Sequence, residues 1–343
     1  MKPFALAPSD VTAEAVRGAV LCHDVIAVGE TGRVRLRKGL ILQSEHVAAL
    51  KTFGSDIHLL ALEPGDVHED AAAIRLARAV AGPGVRLTDP VESQVHMRAE
   101  FRGLCEVDFS SLLPINCLPD ISVFTVYDGQ PVDEGKAVGA CKVTPLAIPD
   151  EILRQAEQIA HDRAPIVTVR PFTGASVGVV VRERIAGTAR QRFQEAITRK
   201  LRWFGSDVAG IAYLPDDVDD IAGAFTHFAG GGVGLILAAG VNSTDPLDLT
   251  LQALERVGAV TERRGVPAHP GSTCWLAYID NVPVFGLALC GMFSKNTVLD
   301  LVLPRFLIGR RITSEELARL GHGGLLSKEM AFRFPPYEEL TGD

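Results

Sequence analysis

The chain has 343 residues, of which 47% are hydrophobic and 22% charged, a balance that favours a folded globular protein over an extended disordered one. Its length exceeds what one hydrophobic core usually supports, so we expect two or three domains. The formal net charge of −8 excludes a general attraction to nucleic acid or to anionic membranes, so an anionic ligand must be held by local features.

No secretory signal is recognisable at the start of the chain, and no apolar stretch is long enough for a membrane helix. We therefore expect a cytoplasmic protein. The cysteines are scattered, with no CxxC pair and no histidine at zinc-finger spacing, which predicts reduced and mostly buried thiols. They are Cys22, Cys105, Cys117, Cys141, Cys274 and Cys290.

Residues 1–165 alternate short apolar runs with turns, which predicts an α+β region with a β-rich part. The alternating basic and apolar residues at 33–39 fit a half-exposed strand, with the basic side chains on its solvated face. A further strand is predicted at 121–127. Helices are predicted at 44–54, 68–81 and 148–164, where capping and stop residues flank periodic apolar positions.

From about residue 166 the pattern becomes a regular alternation of strands and helices. Strands are predicted at 176–181, 208–213, 233–238 and 282–287, and helices at 189–204, 215–228, 245–256 and 294–308. This alternation predicts an α/β domain over 166–320, with a mostly parallel sheet covered by helices on both faces. Residues 321–343 are expected to form a tail.

Ligands of open parallel sheets bind beyond the carboxyl ends of the strands. Three loops of the second half are therefore candidate ligand-binding loops. A glycine that permits close backbone approach, small polar side chains and a following helix N-terminus favour a phosphate in the first loop. The candidate cofactor-binding residues are Gly240, Val241, Asn242, Ser243, Asp245, Asp248 and Thr250 in the first loop, Pro270, Gly271 and Ser272 in the second, and Gly291, Ser294 and Lys295 in the third.

Two interpretations of the acids Asp245 and Asp248 remain open. Either residue can be an N-terminal cap, which is a common structural use of aspartate. Alternatively, one of them binds Mg²⁺, takes part in catalysis or accepts hydrogen bonds from a heterocycle while the backbone holds a phosphate. Lys295 is either a surface lysine or a residue that contacts a phosphate.

Common enzyme motifs are missing from suitable contexts. The sequence has no GxGxxG, P-loop, GxSxG or HExxH pattern where such a motif would function. This argues against the usual dehydrogenases, nucleotide kinases, α/β-hydrolases and zinc proteases.

Several segments together resemble the molybdopterin-binding proteins, a family related to molybdopterin molybdotransferase and molybdopterin adenylyltransferase, with a MoaB/MogA-like C-terminal domain. The segments are 18–25, 37–50, 63–72, 215–217, 238–250, 265–271 and 298–305. The resemblance implies a three-layer α/β sandwich for the C-terminal half. It also implies a pterin phosphate held beside an Asp-x-x-Asp-x-Thr segment, which here runs from Asp245 to Thr250.

The sequence departs from the family pattern in four places, the first of which is Ala239-Gly240, where the family has Gly-Gly. The first strand of the domain ends in Val181-Arg182-Glu183 where the family has Thr-Gly followed by an acid or amide. The Leu-Pro-Gly-Asn-Pro loop is replaced by 287–292, which retains Gly291, and the Asp-Gly-Tyr-Ala motif of active molybdotransferases is missing from the first half.

Three hypotheses about function follow from the resemblance. In the first, the chain binds molybdopterin or a derived cofactor for molybdenum-cofactor biosynthesis, handling or delivery. In the second, it is an enzyme that inserts molybdenum or transfers an adenylyl group; the sequence leaves open whether the chain is an enzyme. In the third, it is a degenerate pterin-binding fold used for protein interaction or regulation. The implied partners are the pterin, a molybdoenzyme or cofactor-biosynthesis protein and further copies of the chain in a homo-oligomer, with no nucleic acid or membrane.

Overall fold

The computed structural model describes residues 1–29, 32–163, 165–182, 187–287 and 296–337. The chain folds into two compact units. The first contains Met1–Glu100, Glu106–Val126 and Gly135–Val169, and the second contains Phe101–Cys105, Tyr127–Glu134 and Arg170–Asp343. Two short segments of the first half of the sequence are thus part of the second unit.

The elements up to residue 171 are mostly short strands. The strands are β1 (Lys2–Leu6), β2 (Val20–Leu21), β3 (Val25–Gly29), β4 (Gly32–Leu36), β5 (Ile57–Ala61), β6 (Asp66–His68), β7 (Val85–Leu87), β8 (Gln94–Ala99), β9 (Gly103–Val107), β10 (Ile121–Thr125), β11 (Gln130–Val132), β12 (Ala137–Val143), β13 (Ala147–Pro149) and β14 (Val167–Pro171). The helices are α1 (Ala13–Val16), α2 (Val47–Leu50), α3 (Glu69–Val80), α4 (Phe109–Asn116) and α5 (Asp150–Arg163), with 3₁₀ turns at Pro8–Asp10 and Ser44–His46.

The first unit is built from small antiparallel sheets and short helices, which confirms the predicted α+β class. Strands β1, β5 and β2 form one sheet and β10, β12, β8 and β7 form another, while β3 and β4 form a hairpin. In this hairpin Arg33 and Arg35 are exposed and Leu36 is buried, as the alternating pattern predicts. The predicted helix at 44–54 is shorter than expected, consisting of a 3₁₀ turn followed by α2.

The remaining elements belong to the second unit. The strands are β15 (Ser176–Val181), β16 (Asp207–Tyr213), β17 (Leu235–Ala239), β18 (Val260–Arg264), β19 (Trp275–Ile279) and β20 (Val282–Gly286). The helices are α6 (Gly187–Trp203), α7 (Val218–Gly230), α8 (Leu249–Arg256), α9 (Val298–Phe306) and α10 (Ser314–Arg319), and a 3₁₀ helix spans Lys328–Arg333.

These strands form one sheet in the order β16-β15-β17-β20-β19-β18. The pairs β16-β15, β15-β17 and β17-β20 are parallel, whereas β19 is antiparallel to both β20 and β18. Helices α6 and α9 pack against one face through Phe193, Ile197 and Val302, and helices α7 and α8 pack against the other through Phe225 and Leu254. The predicted three-layer α/β sandwich is confirmed.

The helix that follows β17 starts later than the sequence suggests. The predicted span 245–256 is realised only from Leu249, because Asp248 acts as the N-cap. Similarly, the helix predicted at 294–308 runs from Val298, with Thr297 as its cap, and residues 288–295 lie outside the described part of the chain.

The segment expected as a tail contributes Leu326, Phe334 and Tyr337 to the core beside α6 and α9. Within that core, the Lys200 ammonium bonds Asp300, and the Tyr337 hydroxyl donates to Asp300 Oδ1 at 3.1 Å. Among the described residues no helix is both long and apolar enough to cross a membrane.

Candidate functional site

The strand order reverses direction between β15 and β17. From β15 the chain passes to β16 on one side and then returns to β17 on the other, so these two central strands flank the switch point of the sheet. Loops that leave a parallel sheet at such a point form a crevice at the carboxyl ends of the strands. Here the crevice is bordered by Arg182, directly after β15, and Gly240, directly after β17.

Asp248 is buried at this edge, and both of its carboxylate oxygens are engaged. Its Oδ1 accepts a hydrogen bond from the backbone N–H of Thr250 at 2.8 Å, as expected of a helix N-cap. Its Oδ2 accepts the backbone N–H of Asn242 at 2.9 Å and a charge-assisted bond from Arg182. The carboxylate is only 1% exposed, so it organises the loop between β17 and α8 from the inside.

Arg182 spans the crevice. One of its terminal nitrogens, Nη2, donates to Asp248 and, at 3.0 Å, to the carbonyl oxygen of Gly240. The other, Nη1, lies 3.4 Å from a carboxylate oxygen of Asp216, beyond β16. This side chain therefore links the ends of all three neighbouring strands.

The residues expected to hold Mg²⁺ do not fit that ion. Asp245 is exposed, and its Oδ1 accepts the backbone N–H of Leu247 at 2.9 Å, while the Asp248 carboxylate is fully bonded. No cluster of three or more histidine, cysteine or acidic residues suited to a metal ion occurs within the described ranges. Mg²⁺ needs several oxygen ligands in near-octahedral geometry, which this arrangement does not offer.

A pocket of about 290 Å³ opens between the loop that precedes α8 and the loop that joins β18 to β19. Its wall combines an arginine, small hydroxyl side chains and an apolar surface. The lining residues are Ser243, Leu251, Arg264, Gly265, Ser272, Thr273 and Trp275. A cation beside hydroxyl donors suits a phosphate, and an indole ring beside a leucine suits the face of a flat heterocycle.

Among the described residues, two buried polar groups without a hydrogen-bond partner belong to a pocket residue and to the sequence neighbour of another, Leu251. They are the indole Nε1–H of Trp275, a residue 2% exposed, and the hydroxyl of Thr250, a residue 1% exposed. The indole packs over Gly286, its cross-strand neighbour, so closely that a Cβ there would collide with the ring. A buried donor without a partner is costly, and a ligand acceptor can remove that cost.

The structure brings together the first two predicted loops. Ser243 and Ser272 line the same pocket, and Gly240, with φ +82°, makes the tight turn that follows β17. Val241 is buried beneath the loop, and Gly271 packs against Val298. The remaining predicted residues of these two loops are not among those that line the pocket; they are Asn242, Asp245, Asp248, Thr250 and Pro270. The predicted Gly291, Ser294 and Lys295 lie outside the described residues.

Sequence reasoning did not select Arg182, Arg264 or Trp275 as site residues. Arg182 was visible only as a departure from the Thr-Gly pattern at the end of a strand. Arg264 and Trp275 flank the loop between β18 and β19, and this hairpin was not among the predicted strands. The apolar run Trp275-Leu276-Ala277-Tyr278, which follows the turn residues Pro270-Gly271, is the signal from which this strand can be predicted.

Parts of the chain are similar in sequence to known proteins. Residues 11–61 match a domain of unknown function (DUF8806). The chain is 34% identical over 85 residues to a molybdopterin molybdenumtransferase of Synechococcus elongatus, a match that covers 25% of this chain and 21% of that protein. The resemblance to the molybdopterin-binding family is confirmed.

Solved structures of proteins named for molybdopterin biosynthesis are also similar. The MoaB enzyme of Thermus thermophilus is 17% identical, with 43% of this chain and 97% of that chain covered and a TM-score of 0.30. The MoeA protein of Pyrococcus horikoshii is 14% identical, with 74% of this chain and 79% of that chain covered and a TM-score of 0.28. This chain spans about a fifth of the length of the curated family member that it matches.

Proposed function

We propose that this chain binds molybdopterin or a molybdopterin-derived cofactor in the pocket between α8 and the loop joining β18 to β19, and that it acts in the biosynthesis, handling or delivery of the molybdenum cofactor. The observation that carries the proposal is the pocket itself. Its lining combines a cation, hydroxyl groups and an indole ring, which are the groups needed for a phosphate attached to a flat heterocycle.

The phosphate of the ligand is assigned to Arg264 and to the hydroxyl groups that line the pocket. Ser243 lies in the loop that leads into α8, and its hydroxyl lines the pocket, where it can donate a hydrogen bond to a phosphate oxygen. Arg264, exposed at the end of β18, can pair with a phosphate in a bidentate manner. The pterin ring of the ligand is assigned to Leu251 and Trp275, whose side chains form the apolar part of the pocket wall.

Binding is proposed ahead of a metal-dependent transferase reaction. The acid most suited by sequence to hold a metal, Asp248, is buried and bonded to Arg182, Asn242 and Thr250. Asp245, which is exposed in a turn, and Ser243 remain available to a ligand. Self-association of the chain and contact with a molybdoenzyme or cofactor-biosynthesis protein are parts of the same proposal.

The test is an anaerobic titration of the full chain with molybdopterin, followed by tryptophan fluorescence. The Arg264→Met variant should bind roughly ten-fold more weakly, because a charge-assisted pair with the phosphate is lost. Arg256→Met is the matched control: Arg256 is an exposed arginine of α8 that pairs with Asp219, outside the pocket. Equal affinities of the Arg264 and Arg256 variants, or no binding by the unmodified chain, would overturn the proposal.

A further inference from the structure

The oxygen atoms around Arg182 are of the kind that bind a hard cation. Asp248 contributes a carboxylate oxygen, Gly240 a backbone carbonyl oxygen, and Asp216 a second carboxylate oxygen. Carboxylates and carbonyls of this type are the preferred protein ligands of Mg²⁺. In this chain, however, all three oxygens point to one guanidinium.

The guanidinium fills this position electrostatically as well as sterically. Arg182 is 16% exposed and Asp248 is 1% exposed. Their charges therefore interact in a partly desolvated environment, where the attraction between opposite charges is stronger than in water. A divalent ion at the same oxygens would have to displace the Arg182 side chain or lie against its positive charge. Either route opposes metal binding.

We infer that Arg182 is a built-in replacement for a divalent cation at the switch point of the sheet. The guanidinium neutralises Asp248 and holds the loop that carries Ser243 in its binding geometry, so it is a positioning residue. The site is therefore assembled without Mg²⁺. One consequence of this inference rests on the proposed function, namely that ligand binding does not require the metal.

The first test contains no pterin. Mn²⁺, which binds oxygen ligands and has an EPR signal that weakens on binding, is titrated into the full chain and into Arg182→Gln. We expect the variant to bind Mn²⁺ roughly ten-fold more tightly than the unmodified chain, since a unit positive charge beside the carboxylate is removed. In Arg182→Gln combined with Asp248→Asn this gain should disappear, which locates the ion at Asp248.

The matched control is Arg202→Met, which removes the same charge from an exposed position of α6 and should bind Mn²⁺ like the unmodified chain. Equal Mn²⁺ binding by the unmodified chain and Arg182→Gln would overturn the inference. So would a gain that persists when Asp248 is replaced.

A second measurement covers the case in which the Arg182 variant folds poorly. Thermal unfolding is compared in MgCl₂ and in NaCl of equal ionic strength. We expect MgCl₂ to stabilise Arg182→Gln selectively, or to restore its fold, with no such difference for the unmodified chain. The absence of any Mg²⁺-specific effect on the variant would contradict the inference.

The last step uses molybdopterin as the probe, with EDTA or with added Mg²⁺. We expect the affinity of the unmodified chain to be the same in both conditions. A requirement for Mg²⁺ would overturn the inference while leaving pterin binding intact, whereas a lack of pterin binding with the expected Mn²⁺ results would overturn only the proposed function.

Discussion

The guanidinium of Arg182, directly after β15, and the carboxylate of Asp248, the N-cap of α8, form an ion pair across the switch point of the sheet. Because Asp248 also bonds the backbone N–H groups of Asn242 and Thr250, this single carboxylate fixes both the start of the helix and the loop before it. The loop that lines the pocket is thus held by an interaction beneath it.

Replacement of Asp248 should therefore destabilise the chain much more than replacement of Asp245. Asp248→Ala removes a cap and leaves the Arg182 charge without its main partner, so we expect the free energy of unfolding to fall by about 3 kcal/mol. Asp245→Ala alters only an exposed turn and should cost no more than about 0.5 kcal/mol. Urea denaturation of both variants measures the difference, and similar losses would contradict the assigned roles.

A methyl group at position 286 should disturb the pocket wall. Since the Trp275 ring packs directly over Gly286, Gly286→Ala forces the indole to move, and we expect a loss of about 1–3 kcal/mol in stability together with altered tryptophan fluorescence. Gly223→Ala is the matched control, because this position in α7 has open space and alanine favours a helix. The control should be neutral or slightly stabilising; a Gly286 variant that behaves in the same way would rule out the close packing.

The sequence predicts the framework of the second unit well because its strands and helices carry strong periodic patterns. The strand predicted at 176–181 coincides with β15, and the helix predicted at 189–204 lies within two residues of α6 at each end. Both elements bury continuous or periodic apolar positions, such as Val177, Val179 and Phe193.

The candidate site was predictable only in part. Ser243 follows from the rule that ligands bind at the carboxyl ends of parallel strands. Ser272 was selected by the same rule, but its loop joins the antiparallel strands β18 and β19. Arg264 and Trp275 reach the pocket through this antiparallel hairpin, whose pairing depends on distant residues, and the rule does not select them. The role of Asp248 depends on Arg182, which is 66 residues away in sequence, so local pattern left its two interpretations open.

The cysteines should differ sharply in their reactivity. Cys141 lies within β12, and burial raises the pKa of its thiol to about 12, whereas Cys117 is exposed at the end of α4. Because the thiolate is the reactive form, brief treatment with iodoacetamide at neutral pH should modify Cys117 and spare Cys141. Peptide mass mapping identifies the modified sites, with the urea-unfolded chain as control. Modification of Cys141 at the rate of Cys117 would show that the strand opens readily.

The buried Tyr337 should make stability sensitive to alkaline pH. Burial, and after it the negative charge of Asp300, raises the pKa of this hydroxyl well above its usual value. In the unfolded chain the phenol titrates near pH 10, so above that pH the unfolded state loses its proton before the folded state does. The stability contributed by this group is therefore complete below about pH 10 and is lost as the pH rises, by about 1.4 kcal/mol per pH unit.

In Tyr337→Phe the part of the alkaline loss that this hydroxyl causes should be absent, so stability should fall less steeply with pH than in the unmodified chain. The variant starts from a lower stability because the hydrogen bond to Asp300 is gone. The measurement is urea denaturation at closely spaced pH values between about 8 and 11. Tyr127→Phe, at a tyrosine that is 49% exposed, is the control and should follow the unmodified chain. Since all other titrating groups are shared, parallel curves for the unmodified chain and Tyr337→Phe would show that Tyr337 does not cause the alkaline loss.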